Sequence, residues 1–181
     1  NQLTAEKIVN YWSKFDIEKI LKEYGEEKFA KEIAEKIIEE KKARMIKTTN
    51  QLVEIIERAL PKRYLHQRLH FATRTFQALR ITVNDELANL EKVLPQALDI
   101  LRAGGNLVVI SFHSLEDRIV KNFFQDRASI YRSEGKEEGR VLFANKPSLK
   151  ILTKSPIIPS NQEIKINPRS RSAKLRAAQK L

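Results

Sequence analysis

The stretch 86–124 constrains the fold most, because a leucine stripe, a double glycine, an apolar run and a second amphipathic pattern follow one another. The stripe has helical spacing and predicts a helix that Asn84 or Asp85 begins and Gly104-Gly105 ends. Its members are Leu87, Leu90, Leu94, Leu98 and Leu101. The run Leu107–Ile110 is typical of a buried parallel strand. The order helix, turn, strand, helix therefore predicts a unit of an α/β sheet.

The turn Ser111-Phe112-His113-Ser114 follows this strand directly. Open α/β sheets bind ligands at the carboxyl ends of their strands, so the turn is the main candidate site. His113 is placed to bind substrate or phosphate, and Phe112 to stack on a base. The alternative is that Ser114 only caps the next helix and Phe112 lies in the core. Glu116 and Asp117 are expected to be charges at the helix N-terminus.

The first sixty residues predict a small bundle of short helices. Asp16 is the expected start of one helix and Gly25 its end. A second apolar pattern follows, and Thr49 or Asn50 opens a third helix that ends at Pro61. Beyond a basic connector up to Gln67, a helix is expected through Thr75–Arg80.

The C-terminal part predicts two late strands, Leu149–Lys154 and Ser172–Ala177, after a polar loop over 126–140. Alternation in the second strand places Lys174 and Arg176 on an outer face. The inner face would hold Ala173, Leu175 and Ala177. A basic outer face suits contact with RNA, and the alternative is an edge strand that its charges protect from aggregation.

The charge distribution points to a polyanionic partner. The net charge is +11, and residues 140–181 hold ten Lys or Arg against one acid, Glu163. A second basic group, without any acid, lies in 61–80 and comprises Lys62, Arg63, Arg68, Arg74 and Arg80. Attraction to phosphates dominates nucleic-acid affinity, so RNA or DNA is the favoured partner. The alternative is a soluble basic protein with solvated lysines.

Several classes of protein are excluded by composition. The chain has no cysteine, which removes disulfides, thiolate metal sites and a cysteine nucleophile, and three separate histidines give no metal-site spacing. No apolar run approaches the roughly 20 residues of a membrane span, and the start does not have the pattern of a signal peptide. The first residue is not Met, so we expect a processed chain or a piece of a longer one.

Four segments resemble the bacterial 16S ribosomal RNA cytosine-N4 methyltransferase family. They are ATRTFQALRITVNDEL (72–87), GGNLVVISFHSLEDRIVK (104–121), NPRSRSAKLR (167–176) and YGEEKFAKEIAEKI (24–37). The resemblance implies a Rossmann-like class I methyltransferase domain interrupted by a helical substrate-recognition domain. Residues 1–68 would be most of the helical domain, and residues 69–181 the C-terminal half of the methyltransferase sheet with its late hairpin. The fold class is accordingly α/β.

The family pattern is incomplete here. The family usually has His-Pro where this chain has His70-Phe71. Its Gly-rich S-adenosylmethionine loop, its ribose-binding acid and its Ser-Pro catalytic loop would lie upstream. The only double glycine, Gly104-Gly105, precedes a strand, whereas a cofactor loop follows one. We therefore expect most of the cofactor site outside these residues, weak or no cofactor binding by them alone, and no activity without the upstream part.

The resemblance implies methylation of the N4 amine of a cytidine in small-subunit ribosomal RNA, with S-adenosylmethionine as cofactor and no metal. His113 is the catalytic candidate. The candidates for binding RNA are Arg74, Arg80, Ser111, His113, Arg118, Lys121, Arg169, Arg171, Lys174 and Arg176. Arg74 and Arg80 lie on different helix faces, so one is expected to meet phosphate while the other pairs with an acid such as Glu86.

The expected partner is the small ribosomal subunit in the cytoplasm, with no membrane and a homodimer as one possible assembly. Two rival functions stay open at this point. One is a binding-only RNA module without catalysis. The other is a nucleotide-using α/β enzyme that has no RNA substrate.

Overall fold

A computed structural model describes residues 2–66, 69–134, 141–144 and 146–181, with 131–134 and 141–144 described by their backbone alone. The helices are α1 Ala5–Tyr11, α2 Lys14–Glu23, α3 Ala30–Ala43, α4 Thr49–Ala59, α5 Lys62–Leu65, α6 Thr73–Asn84, α7 Glu86–Ile100, α8 Ser114–Ala128 and α9 Asn161–Ile166. The strands are β1 Asn106–Ser111, β2 Tyr131–Glu134, β3 Val141–Ala144, β4 Leu149–Ile151 and β5 Lys174–Lys180. A 3-10 helix spans Pro168–Ser172. The chain forms two compact units, Asn1–Glu86 and Leu87–Leu181.

The first unit is helical and confirms the helices predicted across the first sixty residues. The apolar positions at spacings of three and four turn inward and form one core with α6. Its fully buried members include Ile8, Ile17, Leu21, Ile33, Ile37 and Ile56. The predicted helix through Thr75–Arg80 is longer than expected, since α6 begins at Thr73 and its Ala78 and Leu79 lie in this core. The predicted boundary between functional domains at 68/69 stays a prediction.

The predicted helix starts were wrong by one to three residues. Ser13, not Asp16, caps α2, because its Oγ accepts a hydrogen bond from the Asp16 amide at 3.2 Å. Thr48, not Thr49 or Asn50, caps α4 and forms a capping box with Gln51. In each case a hydroxyl lies three residues before the amide that it accepts from, and the first apolar residue does not mark the start.

The junctions around α5, α6 and α7 also differ from expectation. The basic connector contains the short helix α5, while Gln67 at its end lies outside the described residues. Asp85 does not open α7; it ends α6 with a φ of 50° in the left-handed region. Aspartate tolerates this conformation better than most residues because its side chain can hydrogen-bond locally.

The second unit contains a three-stranded antiparallel sheet in the order β1-β5-β4. β1 pairs with β5 from Asn106 opposite Gln179 to Ser111 opposite Lys174. The prediction of a parallel strand is not met, because every strand pair among the described residues is antiparallel. The prediction of full burial was also wrong. Val108 and Ile110 are 53% and 54% exposed, and the burial of β1 alternates.

One face of this sheet packs against α7 and α8. Its core comprises Leu94, Leu98, Val120, Phe124, Leu149 and Ala178, with Leu107 and Val109 of β1 against it. The leucine stripe is therefore confirmed as the inward side of α7, with Leu94 and Leu98 buried and Leu87, Leu90 and Leu101 half-buried. The Nζ of Lys180 donates hydrogen bonds to the carbonyls of Leu98 and Leu101, which satisfies acceptors at the end of α7.

The late strands are displaced from their predicted positions. β4 ends at Ile151 rather than Lys154, and β5 runs from Lys174 to Lys180 rather than from Ser172 to Ala177. Pairing confirms that the two strands are antiparallel neighbours. The expected loop over 126–140 was wrong in part, because α8 continues to Ala128 and β2 pairs with β3; residues 135–140 lie outside the described residues.

None of the helices in the described part of the chain combines the length and apolar character that crossing a membrane requires.

Candidate functional site

The candidate turn links the end of β1 to the start of α8. His113, not Ser114, caps α8: its backbone is extended, and its Nδ1 accepts a hydrogen bond from the Glu116 amide at 3.4 Å. The carboxylate of Glu116 reaches back and accepts from the amides of Phe112 at 2.8 Å and His113 at 3.2 Å. These reciprocal bonds form a capping box, which fixes the backbone of the turn.

The hydrogen bonds of the turn set the protonation of its side chains. Because Nδ1 of His113 is an acceptor, the proton of the neutral imidazole lies on Nε2. This Nε2 lies 3.3 Å from Oε1 of Glu116 but makes no aligned hydrogen bond. Burial acts to raise the pKa of Glu116, but the close approach of the His113 ring and the hydrogen bonds from the amides of Phe112 and His113 outweigh it and lower that pKa. Glu116 is thus a carboxylate that orients the turn.

Two polar atoms of the turn are buried and lack a hydrogen-bond partner among the described residues. They are the Oγ of Ser111 and the Nε2 of His113. An unsatisfied buried polar group costs about 1–3 kcal/mol, so both atoms are suited to a further partner. Phe112, between them, is 54% exposed and does not lie in the core.

Lys174 and Arg176 do not form the basic outer face that alternation predicted. Arg176 is 7% exposed, and its Nε and Nη2 donate to the Asp117 carboxylate at 2.6 Å and 3.1 Å. Lys174 approaches the same carboxylate at 3.3 Å. The hydrogen bond from Arg176, with the positive charges of both cations, holds the pKa of Asp117 below its usual value of 3.8. Asp117 therefore links α8 to β5 through these ion pairs, in addition to lying in the first turn of α8 as predicted.

The remaining predicted RNA contacts lie in different environments. Arg80 pairs with both oxygens of Glu86 at 2.8 Å and 3.0 Å, as one alternative anticipated. Arg74 donates to the carbonyl of Glu26. Both arginines belong to the first unit. Of the predicted contacts in the second unit, Arg118 and Lys121 on α8 and Arg169 and Arg171 in the 3-10 helix are exposed.

Sequence reasoning named Glu116 and Asp117 only as charges at the helix N-terminus and missed the hydrogen bonds by which they organise this site. The spacing of His113 and Glu116 could have revealed the capping box, since His113 stands where Ser or Thr usually does. No pattern could have revealed the pair of Asp117 and Arg176, because 59 residues separate them.

The turn at Gly104-Gly105 does not fit S-adenosylmethionine. Gly104 has a φ of 78°, which suits glycine, but its amide donates to Lys180 O at 2.9 Å. The amide of Gly105 donates to Arg102 O at 2.9 Å. A glycine loop that holds a cofactor needs free amides, and both of these are occupied by the protein's own carbonyls.

Comparison with known proteins places the chain first in a family of methylases. The model of the MraW methylase family matches residues 1–181. The chain belongs to this family.

Several curated relatives carry the name ribosomal RNA small subunit methyltransferase H. The relative from Geotalea daltonii is 49% identical over 180 residues, which cover 99% of this chain and 57% of the relative. The relative from Geobacter sulfurreducens is 50% identical over 178 residues, covering 98% and 57%. The one from Heliobacterium modesticaldum is 48% identical over 179 residues, covering 99% and 57%. The chain thus spans somewhat more than half the length of these relatives.

Proposed function

We propose that the protein containing this chain transfers a methyl group from S-adenosylmethionine to the N4 amine of a cytidine in small-subunit ribosomal RNA. The observation that supports this most is the match of the whole chain to the methylase family, with relatives whose name specifies small-subunit ribosomal RNA. The cytoplasm as location, the absence of a metal and a homodimer stay predictions.

Within this proposal His113 binds the RNA as a hydrogen-bond donor. Its Nδ1 is occupied by the Glu116 amide, so Nε2 carries the proton. This nitrogen is buried and has no aligned acceptor, so a base carbonyl or a phosphate oxygen that enters the turn would supply one. A nitrogen that already holds a proton does not accept one from the reacting amine. His113 therefore positions the substrate, Phe112 offers a ring for stacking, and the proton of the amine leaves to another acceptor.

In this proposal the cofactor site comes from a segment upstream of these residues, as the resemblance to the methyltransferase family implies. The outer edge of β1 has no strand partner among the described residues, and its exposed face holds Val108 and Ile110. An apolar edge strand is normally covered or paired in a stable protein. We infer that upstream strands extend the sheet beyond β1, as in a Rossmann-like methyltransferase, and that upstream helices cover this face.

The test is methyl transfer by the protein that includes the upstream segment, with undermodified small subunits as substrate and mass spectrometry of the released nucleosides. We expect N4-methylcytidine to form, and His113→Ala to lower its rate at least tenfold at limiting RNA. His113→Gln should retain part of the rate, because its amide also donates. Formation of no methylated cytidine, or of cytidine methylated only elsewhere, would contradict the proposal. RNA binding without any transfer would favour the binding-only module.

A further inference from the structure

We propose that residues 157–172, here called the C-terminal arm, form a docking surface for the RNA backbone beside the candidate turn. The proposal rests on the proposed function in taking RNA as the ligand, but it concerns binding and needs no methyl transfer. It adds to that function a surface whose cations contact phosphates irrespective of sequence.

Both ends of the C-terminal arm are fixed at the end of the sheet where β1 finishes. At its start, Ile157 and Leu175 exchange two backbone hydrogen bonds of 2.9 Å. At its end, the 3-10 helix leads through Ala173 into Lys174, which lies opposite Ser111 in the register. A strand of RNA that follows the arm is thereby led to the Ser111–Ser114 turn.

The arm is held in one conformation by its own side chains. Ser160 caps α9 by accepting from the Glu163 amide at 3.1 Å. Asn167 caps the 3-10 helix by accepting from the Arg169 amide at 3.2 Å, and the buried Ser170 hydroxyl donates to the carbonyl of Asn167 at 2.8 Å. A backbone that is already ordered loses less entropy when a ligand binds to the side chains it presents.

The charge of the arm favours a polyanion over a protein partner. Its three cations, Lys165, Arg169 and Arg171, are exposed and form no ion pair with any described carboxylate, whereas Lys174 and Arg176 are held by Asp117. Glu163 is its only acid. Ile166, 80% exposed, lies on the same segment and offers an apolar contact for a ribose or a base. Arginine is the residue that binds phosphate oxygens in pairs, so an RNA backbone fits this surface.

The experiment measures the salt dependence of RNA binding by the 181-residue chain. A labelled single-stranded oligoribonucleotide is titrated by fluorescence anisotropy at several salt concentrations. Each phosphate contact contributes about 0.7 to the slope of log K against log salt, so the double variant Arg169→Gln, Arg171→Gln should lower that slope by about 1.4. The variant Arg169→Lys, Arg171→Lys should keep it.

The matched control removes the same charge from two exposed cations of the second unit that lie outside the arm. Lys92→Gln combined with Arg102→Gln is expected to leave the slope unchanged, and circular dichroism checks that both double variants fold. Absence of salt-dependent binding by the wild type, or equal slopes for the arm and control variants, would overturn the proposal. The proposal would also be overturned if the arm variant bound assembled subunits more weakly than the wild type but bound naked RNA equally well. That result would mean that the arm contacts a protein of the subunit and not its RNA. Failure of methyl transfer with the slopes as expected would refute only the proposed function.

Discussion

Replacing Asp117 by Asn should destabilise the second unit by about 3–5 kcal/mol, the usual cost of leaving one member of a buried ion pair unpaired. The structure supports a value in this range. Arg176 is buried, two of its nitrogens bond the Asp117 carboxylate, and Lys174 adds a third, longer contact. Hydrogen bonds to charged groups contribute about 1.5–3 kcal/mol each, so losing the charge of the acceptor weakens two strong bonds at once.

The measurement is urea unfolding followed by circular dichroism for the wild type, Asp117→Asn, Arg176→Met and the double variant. The two single variants should each lose several kcal/mol, and the double variant should lose less than their sum, because it leaves neither charge buried alone. A decrease of under about 1 kcal/mol in the free energy of unfolding of Asp117→Asn would refute the reasoning, because leaving the buried Arg176 charge unpaired should destabilise the fold by more than that.

The same pair predicts a pH dependence. The pKa of Asp117 is lower in the folded chain than its ordinary value, so folding favours the carboxylate. Its contribution is complete above the usual pKa of 3.8 that applies to the unfolded chain, and is lost as the pH falls through the lower folded pKa. Stability of the wild type should therefore decline in acid below about pH 4 more steeply than that of Asp117→Asn.

Three further predictions concern local geometry and are read from thermal or urea unfolding. Gly25→Ala should lower the free energy of unfolding by about 1–3 kcal/mol, because the new Cβ would lie 2.7 Å from the backbone oxygen of Leu21. An unchanged stability would mean that the backbone shifts to accommodate the Cβ. Gly104→Ala meets no atom within 4 Å but must hold a φ of 78°, so about 1–2 kcal/mol is expected from the backbone alone. Thr48→Ala removes the cap of α4 and should cost about 1 kcal/mol, with Thr49→Ala as the matched control that changes little.

Local sequence was enough to predict the longer amphipathic helices, though not their first residues, and the existence of β1. The spacing of Ile17, Leu21, Ile33 and Ile37 and the leucine stripe of α7 depend on neighbours three and four residues away. Such patterns specify which side of a helix is apolar before any tertiary contact forms. The double glycine likewise marked the end of α7, and the apolar run after it marked a strand.

Tertiary structure decided how β1 pairs, which of its faces is exposed and what its neighbours do chemically. A four-residue apolar run fits a parallel or an antiparallel strand equally well, because strand direction depends on a partner that lies far along the chain. The alternating pattern of β5 predicts that Arg176 faces outward, yet its side chain is buried in an ion pair with Asp117. A charge can be buried only where an opposite charge meets it, and folding alone brings together two residues that 59 positions separate.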